Sequence, residues 1–443
     1  MEKLRRGMAL WGFILVLLLI RGGLGQAEEI LPPPGKPLTL DQCIAIGLQY
    51  NPSLRASQET VDAQKARVEQ ALAAYYPQVN FNSSYNQSTT NFANTTSGAR
   101  GSNYSWTLTD IFSMGPNLNQ LIYDFGRTSS SVQINRENVK ASEQDALTQK
   151  QNVVLNIKIA YYAVLQSQAL IKVAEETLIQ NQKRLEQAKA FYQAGTRPKI
   201  DVTNAEVNLA NVELALIRTK NNFQVARITL NTAMGLRTDL AFAIDQNIDL
   251  KPKITPLDEI LASAYSKRPE ILQLKAKERS QEASVQLAQA SYYPSLSGNA
   301  GNLWRTYNVP NDFVWDWSFG VTLSVPIFSG FSSPSQVAEA KAILRNLQAQ
   351  EQSLKQAIGL ESEQAYLSLR EAIERIGVTE KSLGQAKENY DLASGRYQVG
   401  VGQPLEINDA EVTLANARAN HIQALYDYKV AEARIVKAMG VID

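Results

Sequence analysis

The sequence predicts a mainly α-helical protein with a membrane β-barrel portion, built as an internal twofold repeat. Three observations predict this. Short motifs recur in the same order in both halves. Two stretches of 67 residues contain hardly any helix breaker, since Pro334 falls in a first turn, where it is tolerated, and period-two segments precede each stretch. A length of 443 residues would ordinarily suggest two or three separate domains. The recurring motifs indicate instead one unit present in two copies.

Composition excludes several classes of function. Lys plus Arg is 44 and Asp plus Glu is 43, so the chain lacks the excess of basic residues that is typical of nucleic-acid-binding proteins. One Cys and one His exclude a disulfide framework, a Cys/His zinc site and a catalytic pair of such residues. We therefore expect no enzymatic activity, no cofactor, no metal site and no nucleic-acid partner.

The first element is a predicted export signal over residues 1–27, followed by a linker over 28–38. A membrane-anchor helix is the alternative, but the apolar run is shorter than the roughly 18 residues that a span requires, and Arg21 ends it. Cys43 lies well past the cleavage point, so we expect a small helix residue and not a lipid anchor. The evidence for the signal is the basic Lys3, Arg5 and Arg6, the apolar run 7–20, and the small residues Gly25 and Ala27.

The two copies are predicted at 39–235 and 258–443, joined by a connector at 236–257. Motifs early in the copies are displaced by 217 positions and later ones by 205, so the length difference lies after Pro77 and Pro294. The early motifs are Leu40-Asp41, Pro52 and Tyr75-Tyr76-Pro77, which recur as Leu257-Asp258, Pro269 and Tyr292-Tyr293-Pro294; the later ones include Met234-Gly235 and Met439-Gly440.

Each copy continues with a strand pair, at about 78–123 and about 295–328. Apolar and polar residues alternate there, which is typical of strands with one aromatic face. A half-buried sheet of a soluble protein is the alternative for any one strand. In an exported chain, with a polar loop joining each pair, the pattern favours a barrel surface that faces lipid. The clearest alternation is Phe313, Trp315, Trp317, Phe319, Val321, Leu323 and Val325.

Two long helices are predicted at 127–193 and 332–398, with return helices at 201–234 and 406–439. Apolar residues recur every seven positions, as in a coiled coil. A parallel stripe of small residues would permit close packing of neighbouring helices, and His421 is expected to be a packing residue. The large stripe is Ile157, Val164, Ile171, Leu178, Leu185 and Tyr192, and the small stripe is Ala160, Ser167, Ala174 and Ala188.

Taken together, these motifs resemble the TolC-like outer-membrane efflux protein family. The likeness rests on the signal, the repeat, Leu40-Asp41, Asn51-Pro52, the Tyr-Tyr-Pro strand entries, and a Tyr-x-x-Gly turn followed by Asp or Glu. The resemblance implies a helical barrel of coiled-coil helices plus four strands per chain in a shared 12-stranded barrel. Four strands cannot close a barrel alone, and two or three copies would both satisfy the arithmetic. The resemblance selects the homotrimer.

The function that the resemblance implies is that of a passive exit duct in the outer membrane of a Gram-negative bacterium, with a long periplasmic extension. The duct would serve a tripartite efflux or type I secretion system. Its partners would be a periplasmic adaptor, an inner-membrane transporter and outer-membrane lipid. The alternative is a structural periplasmic coiled coil or adaptor, which would keep the heptads but have no use for amphipathic strands.

The resemblance also implies a periplasmic entrance formed by Asp201, Glu406 and Asp409 at the starts of the return helices. Stabilisation of helix N-termini is an alternative explanation for these acids. The tip turns are Gly195, Thr196 and Arg197 in the first copy, and Gly400 and Gly402 in the second. The sequence departs from the family here, because Gly402 stands where the family often has a basic residue. A contact that locks the entrance through that residue is thereby put in doubt.

Overall fold

A computed structural model describes residues 37–93, 104–240, 242–245, 254–307 and 312–441. The predicted export signal and most of the predicted linker lie outside the described residues, as does the middle of the connector. The elements in order are α1 (Leu40–Tyr50), α2 (Pro52–Leu72), a 3₁₀ turn (Ala73–Tyr75), β1 (Gln78–Ala93), β2 (Tyr104–Tyr123), α3 (Arg127–Gln193), α4 (Lys199–Met234), α5 (Leu257–Lys267), α6 (Pro269–Ala290), β3 (Ser295–Tyr307), β4 (Val314–Ser324), α7 (Ser332–Gln398) and α8 (Pro404–Ala438).

The chain divides into two compact units, which are described separately. The described part of the smaller unit consists of residues 37–39 and 242–245. There Leu38 forms a parallel bridge with Ile244, and its backbone N–H donates to the carbonyl of Ala243 at 2.9 Å. The larger unit, residues 40–240 and 246–443, contains all the helices and strands named above.

The four strands form one antiparallel sheet in the order β1-β2-β3-β4. Tyr85 pairs with Phe112 between the first two strands, and Ala300 pairs with Phe319 between the last two. β4, at one edge of the sheet, ends at Ser324, which is earlier than the expected boundary near 328. Pro326 follows closely and has no N–H to donate to a ladder, which explains the early end.

Two uninterrupted helices of 67 residues each, α3 and α7, dominate the larger unit. At 1.5 Å per residue, each is about 100 Å long. The start of α3 is fixed by Asp124, whose carboxylate accepts hydrogen bonds from the backbone N–H of Gly126 at 3.2 Å and of Thr128 at 2.6 Å. Neither helix folds back on itself, because both are continuous through Glu175 and Leu383.

The buried stripe of α3 changes along the helix. The expected apolar stripe is fully buried at Ile157 and Val164, half-buried from Ile171 onward, and exposed at Tyr192. The small stripe is buried at Ala160, Ser167 and Ala188 and half-buried at Ala174. Within a single chain, α3 thus buries both stripes in its middle and leaves the large stripe uncovered near its C-terminal end.

Packing of the short helices repeats in both copies. Gly235 ends α4 against the α1–α2 junction, where an added Cβ would lie 2.6 Å from the carbonyl oxygen of Tyr50. Gly440 follows α8 against the α5–α6 junction in the same way, 2.8 Å from the backbone nitrogen of Arg268. Among the described residues, no helix combines the length and apolar character needed to cross a membrane.

Candidate functional site at the tip turns

Two turns connect the long helices to the return helices. In the first, Gly195 has φ 72°, and Thr196 donates from both its backbone N–H and its hydroxyl to the carbonyl of Phe191. In the second, Gly400 has φ 83°, a left-handed conformation that favours glycine. The N–H of Gly402 donates to the carbonyl of Arg396 at 2.9 Å. Both long helices thus end in a left-handed glycine, as the repeated Tyr-x-x-Gly motif indicates.

Gly402 has no room for a side chain. An added Cβ would lie 2.7 Å from the backbone nitrogen of Tyr397 and 2.9 Å from the carbonyl carbon of Arg396. Contacts this short with backbone atoms require the turn itself to shift. In this conformation the second turn therefore cannot carry the basic residue that the resemblance led us to look for.

The three predicted entrance acids lie at the starts of the return helices. Asp201 is in the first turn of α4 and is half-buried. Glu406 is in the first turn of α8, is exposed, and lies 3.7 Å from the guanidinium of Arg396. Asp409 follows three residues later and is also exposed. Residues three apart share one face of a helix, so both acids of α8 point to the same side.

Arg197 connects the two turns. Its guanidinium donates to the carbonyl of Gly402 at 2.8 Å and to the carbonyl of Gly400 at 3.4 Å, and its Cζ lies 5.9 Å from the centre of the Tyr397 ring. The first-repeat turn therefore supplies a positive charge to the carbonyls of the second turn, just beyond the C-terminal end of α7, where the helix dipole favours a cation.

A buried ion pair joins the repeats beside these turns, and the sequence analysis missed it. Arg184 of α3 donates to Glu411 of α8 at 2.7 Å, and the two side chains are 7% and 6% exposed. Arg184 also donates to the side chain of Asn408 at 2.9 Å. Burial raises the pKa of Glu411, an effect that the charge of Arg184 opposes. Two features of the sequence could have indicated this pair: Arg184 lies beside the small stripe of α3, and Glu411 lies within the apolar face of α8.

The ring of Tyr397 lies between these groups. Arg184 and Arg197 are both within cation–π distance of it, and Phe191 of the first repeat meets it edge-on with the ring centres 5.8 Å apart. Burial raises the pKa of the Tyr397 hydroxyl; the nearby charge of Asp201 adds to the shift, and both arginines oppose it. The structure thus places Asp201 near the second-repeat tyrosine.

A groove with a cavity of about 550 Å³ runs between α3, α4 and α8 next to the tip turns. Its walls combine aliphatic side chains with amides and carboxylates, including Asn181, Asn208, Asn408 and Asp409. Within the described ranges, no group of His, Cys, Asp and Glu side chains could hold a metal ion. The lone His421 lies half-buried against α7, with its Nδ1 3.2 Å from the hydroxyl of Thr379.

The comparison with known protein families decides the identity. A family model described as "Outer membrane efflux protein" matches residues 44–236 and 260–441, which is most of the chain. The chain belongs to the outer membrane efflux protein family. It is therefore an outer-membrane exit duct for efflux and not an enzyme, and its helices form the periplasmic part. The alternative of a periplasmic adaptor is wrong.

Individual relatives support the same assignment. Outer membrane protein TolC of Escherichia coli is 22% identical over 413 residues, covering 89% of this chain and 80% of TolC. The probable efflux pump outer membrane protein TtgC of Pseudomonas putida is 25% identical over 410 residues, covering 90% and 82%. Cation efflux system protein CusC of E. coli is 23% identical over 415 residues, covering 90% and 85%.

Solved structures share the fold. A structure of CusC matches with a TM-score of 0.77 and 21% identity, covering 91% of this chain and 92% of that one. The open state of the MtrE outer membrane channel of Neisseria gonorrhoeae matches with a TM-score of 0.75 and 17% identity, covering 91% and 89%. The predicted fold class, long helices with a small set of barrel strands, is confirmed.

Proposed function

We propose that three copies of this outer membrane efflux protein close one 12-stranded barrel, and that Asp201, Glu406 and Asp409 form the periplasmic entrance of the duct. A periplasmic adaptor and an inner-membrane transporter would act on that entrance. The observation that carries the proposal is the four-stranded sheet with β1 and β4 at its two edges. Among the described strands, no pairing joins β1 to β4.

The sheet edges argue for assembly. In lipid every backbone N–H and C=O needs a protein partner, so an open four-stranded sheet cannot stand in a membrane. The aromatic face of β4 is also uncovered, with Trp315 61%, Phe319 77% and Val321 69% exposed. An apolar face of this kind is suited to contact with lipid chains. Two copies would give eight strands and three would give twelve, and membership of the efflux family favours three.

The test of assembly is the mass of the detergent-solubilised particle, measured by light scattering with the detergent contribution subtracted. A trimer should have about three times the mass of one chain, which is 49.0 kDa before any processing. A particle of two chains would indicate an eight-stranded barrel instead. A stable monomer that conducts ions would contradict the argument from the sheet edges.

The long helices bring the two tip turns to one level. Both α3 and α7 start next to the sheet and have 67 residues, so their ends are about equally far from it. In a trimer, six such turns would surround one axis. Glu406 and Asp409 share a face of α8, and three copies of that face would make a ring of negative charge. Such a ring attracts cations and resists anions.

Helix-end stabilisation is the competing explanation for the acids. Glu406 lies in the first turn of α8, where an acid contributes roughly 0.3–1 kcal/mol, and Asp409 lies about one turn further along. Single-channel recordings separate the two. The double variant Glu406→Ala/Asp409→Ala should lose cation selectivity and block by multivalent cations. A matched control is Glu388→Ala/Asp391→Ala, which removes two exposed acids from the last turns of α7. Wild-type selectivity and block in the first variant would mean that the acids only cap a helix.

Partner proteins would open the entrance by binding its open state more tightly than its closed state. In-cell crosslinking followed by mass spectrometry of the attached proteins tests this. We expect one periplasmic adaptor and one inner-membrane transporter, and the kind of transporter would identify the cargo as drug, metal ion or polypeptide. Recovery of no inner-membrane protein, under conditions that crosslink the trimer itself, would contradict the proposed partners.

A further inference from the structure

Two arginines of the first repeat converge on the tip of the second repeat. We call Arg184, Arg197 and the ring of Tyr397 between them the arginine brace. Its members come from α3, from the first tip turn and from the last turn of α7. The brace is distinct from the entrance acids, none of which belongs to it.

The Arg197 side of the brace replaces a group that the second turn cannot hold. The turn itself satisfies the last carbonyls of α7, because the N–H of Gly400 donates to the carbonyl of Tyr397 and the N–H groups of Val401 and Gly402 donate to that of Arg396. The carbonyls of the turn residues have no such partner in the turn's own hydrogen bonds. At the end of α7, an arginine at position 402 would have to displace the backbone of Tyr397. Arg197 instead reaches across and donates to the carbonyls of Gly400 and Gly402, which lie beyond the end of α7, so a side chain of the first repeat holds the turn of the second.

The Arg184 side of the brace fixes the start of α8. Its guanidinium contacts Asn408 and Glu411, the residues one position before and two positions after Asp409. A planar guanidinium that donates to two side chains of one helix restricts both the rotation and the distance of that helix. The direction in which Asp409 points is thereby set by a residue of the other repeat.

We infer that Arg184 and Arg197 are positioning residues of the entrance: they hold the second-repeat turn and the first turns of α8 so that Glu406 and Asp409 face the pore axis. This inference rests on the proposed acidic ring. The two repeats of one subunit then form a single rigid tip. Widening of the entrance requires either release of the brace or movement of whole subunit tips relative to one another.

The first experiment probes the brace directly, by hydrogen–deuterium exchange of the solubilised full-length protein. In Arg197→Gln, the amides of residues 399–403 should exchange about tenfold faster, the effect expected from loss of a hydrogen bond to a charged donor. The matched control is Lys189→Gln, which removes an exposed cation near the end of α3 that lies 4.0 Å from Glu206. Wild-type exchange in Arg197→Gln would overturn the inference.

The second experiment probes positioning, by single-channel selectivity and multivalent block with both acids still present. Arg197→Gln and the double variant Arg184→Leu/Glu411→Leu should both weaken cation selectivity and block. The double variant leaves no unpaired buried charge. If the ion pair only stabilised the fold, its replacement by two leucines would therefore leave ion selectivity unchanged. Arg197→Lys should restore selectivity only in part, because a lysine cannot donate from a planar fork.

The outcomes separate the inference from the proposal beneath it. If Glu406→Ala/Asp409→Ala changes selectivity and the brace variants do not, the brace does not position the ring and the inference fails. If exchange rises in Arg197→Gln but neither the acid variant nor the brace variants change selectivity, the acidic ring fails while the brace stands. Weakened selectivity in both sets, together with faster exchange, supports both.

Discussion

Replacement of Gly235 by alanine should destabilise the protein more than the same change at a glycine of equal conformation on the tip. Gly235 lies directly after α4 with φ 75°, and the N–H of Leu236 donates to the carbonyl of Asn231 at 2.8 Å, so the left-handed turn is part of the helix end. An alanine Cβ would lie 2.6 Å from the carbonyl oxygen of Tyr50 and 2.7 Å from the Cα of Asn51.

Two costs combine at this position. A left-handed conformation costs an L-residue with a Cβ about 1–2 kcal/mol relative to glycine. Insertion of a methyl group against backbone atoms that must shift costs about 1–3 kcal/mol more. Gly195→Ala carries only the first cost, because φ is 72° and no atom lies within 4 Å of the added Cβ. The difference between the two variants is therefore expected to be about 1–3 kcal/mol.

Guanidinium unfolding of the detergent-solubilised protein, followed by far-UV circular dichroism, measures this difference through the linear dependence of the unfolding free energy on denaturant. Gly440→Ala provides an internal replicate, since its added Cβ would lie 2.8 Å from the backbone nitrogen of Arg268 and its φ is 74°. If Gly235→Ala and Gly440→Ala cost no more than Gly195→Ala, the close approach of the helix ends in both repeats does not limit side-chain size.

Three further predictions concern the same unit. Asn51→Ala should cost about 1–2 kcal/mol, because Asn51 caps α2 through the N–H of Ser53 at 2.9 Å and donates to the carbonyl of Ala233; Asn51→Asp, which keeps the cap, should lose less of the unfolding free energy. Cys43 is fully buried and burial raises its pKa to about 12, so iodoacetamide should alkylate it only after unfolding; rapid labelling of the native protein would contradict the packing of α1. Burial alone would raise the pKa of Glu137, but hydrogen bonds from Lys140 and Arg279 hold it below the ordinary 4.5. That stabilisation is present above the unfolded-state pKa and is lost as the pH falls through the lower folded-state value, so the unfolding midpoint of Glu137→Gln should depend less on acid there than that of the wild type.

The local sequence pattern was sufficient to predict the long helices and the clearest strand. The heptad spacing and the near absence of proline over 67 residues predict α3 and α7, because a continuous helix needs every backbone N–H and no steric interruption. The alternation around Trp315 and Phe319 predicts β4 for a similarly local reason. The tip turns follow from glycine at the position where the backbone becomes left-handed, as at Gly195 and Gly400.

Contacts between the repeats could not be predicted in this way. Arg184 and Glu411 are 227 positions apart, and which faces of α3 and α8 meet there depends on the accumulated drift of a long helix. Within one chain Ala188 is buried and Tyr192 is 46% exposed, and the sequence did not indicate which of the two stripes packs against the neighbouring helices at this end. The hydrogen bond from Arg197 to Gly402 could not be predicted either. A comparison of the two turn sequences shows only that the second turn lacks an arginine.

The length difference between the copies lies in their strand pairs and not in their long helices. The strands of the first copy have 16 and 20 residues and those of the second have 13 and 11, whereas α3 and α7 have 67 residues each. A helix cannot gain one residue without rotating everything beyond it by about 100°, while a hairpin can lengthen without disturbing its base. Peptide insertions between Ala93 and Tyr104, in the connection from β1 to β2, should therefore leave the register of the distant tip turns unchanged. The strand end of the unit can thus change in length while the distance from the sheet to the tip turns stays fixed by two helices of equal length.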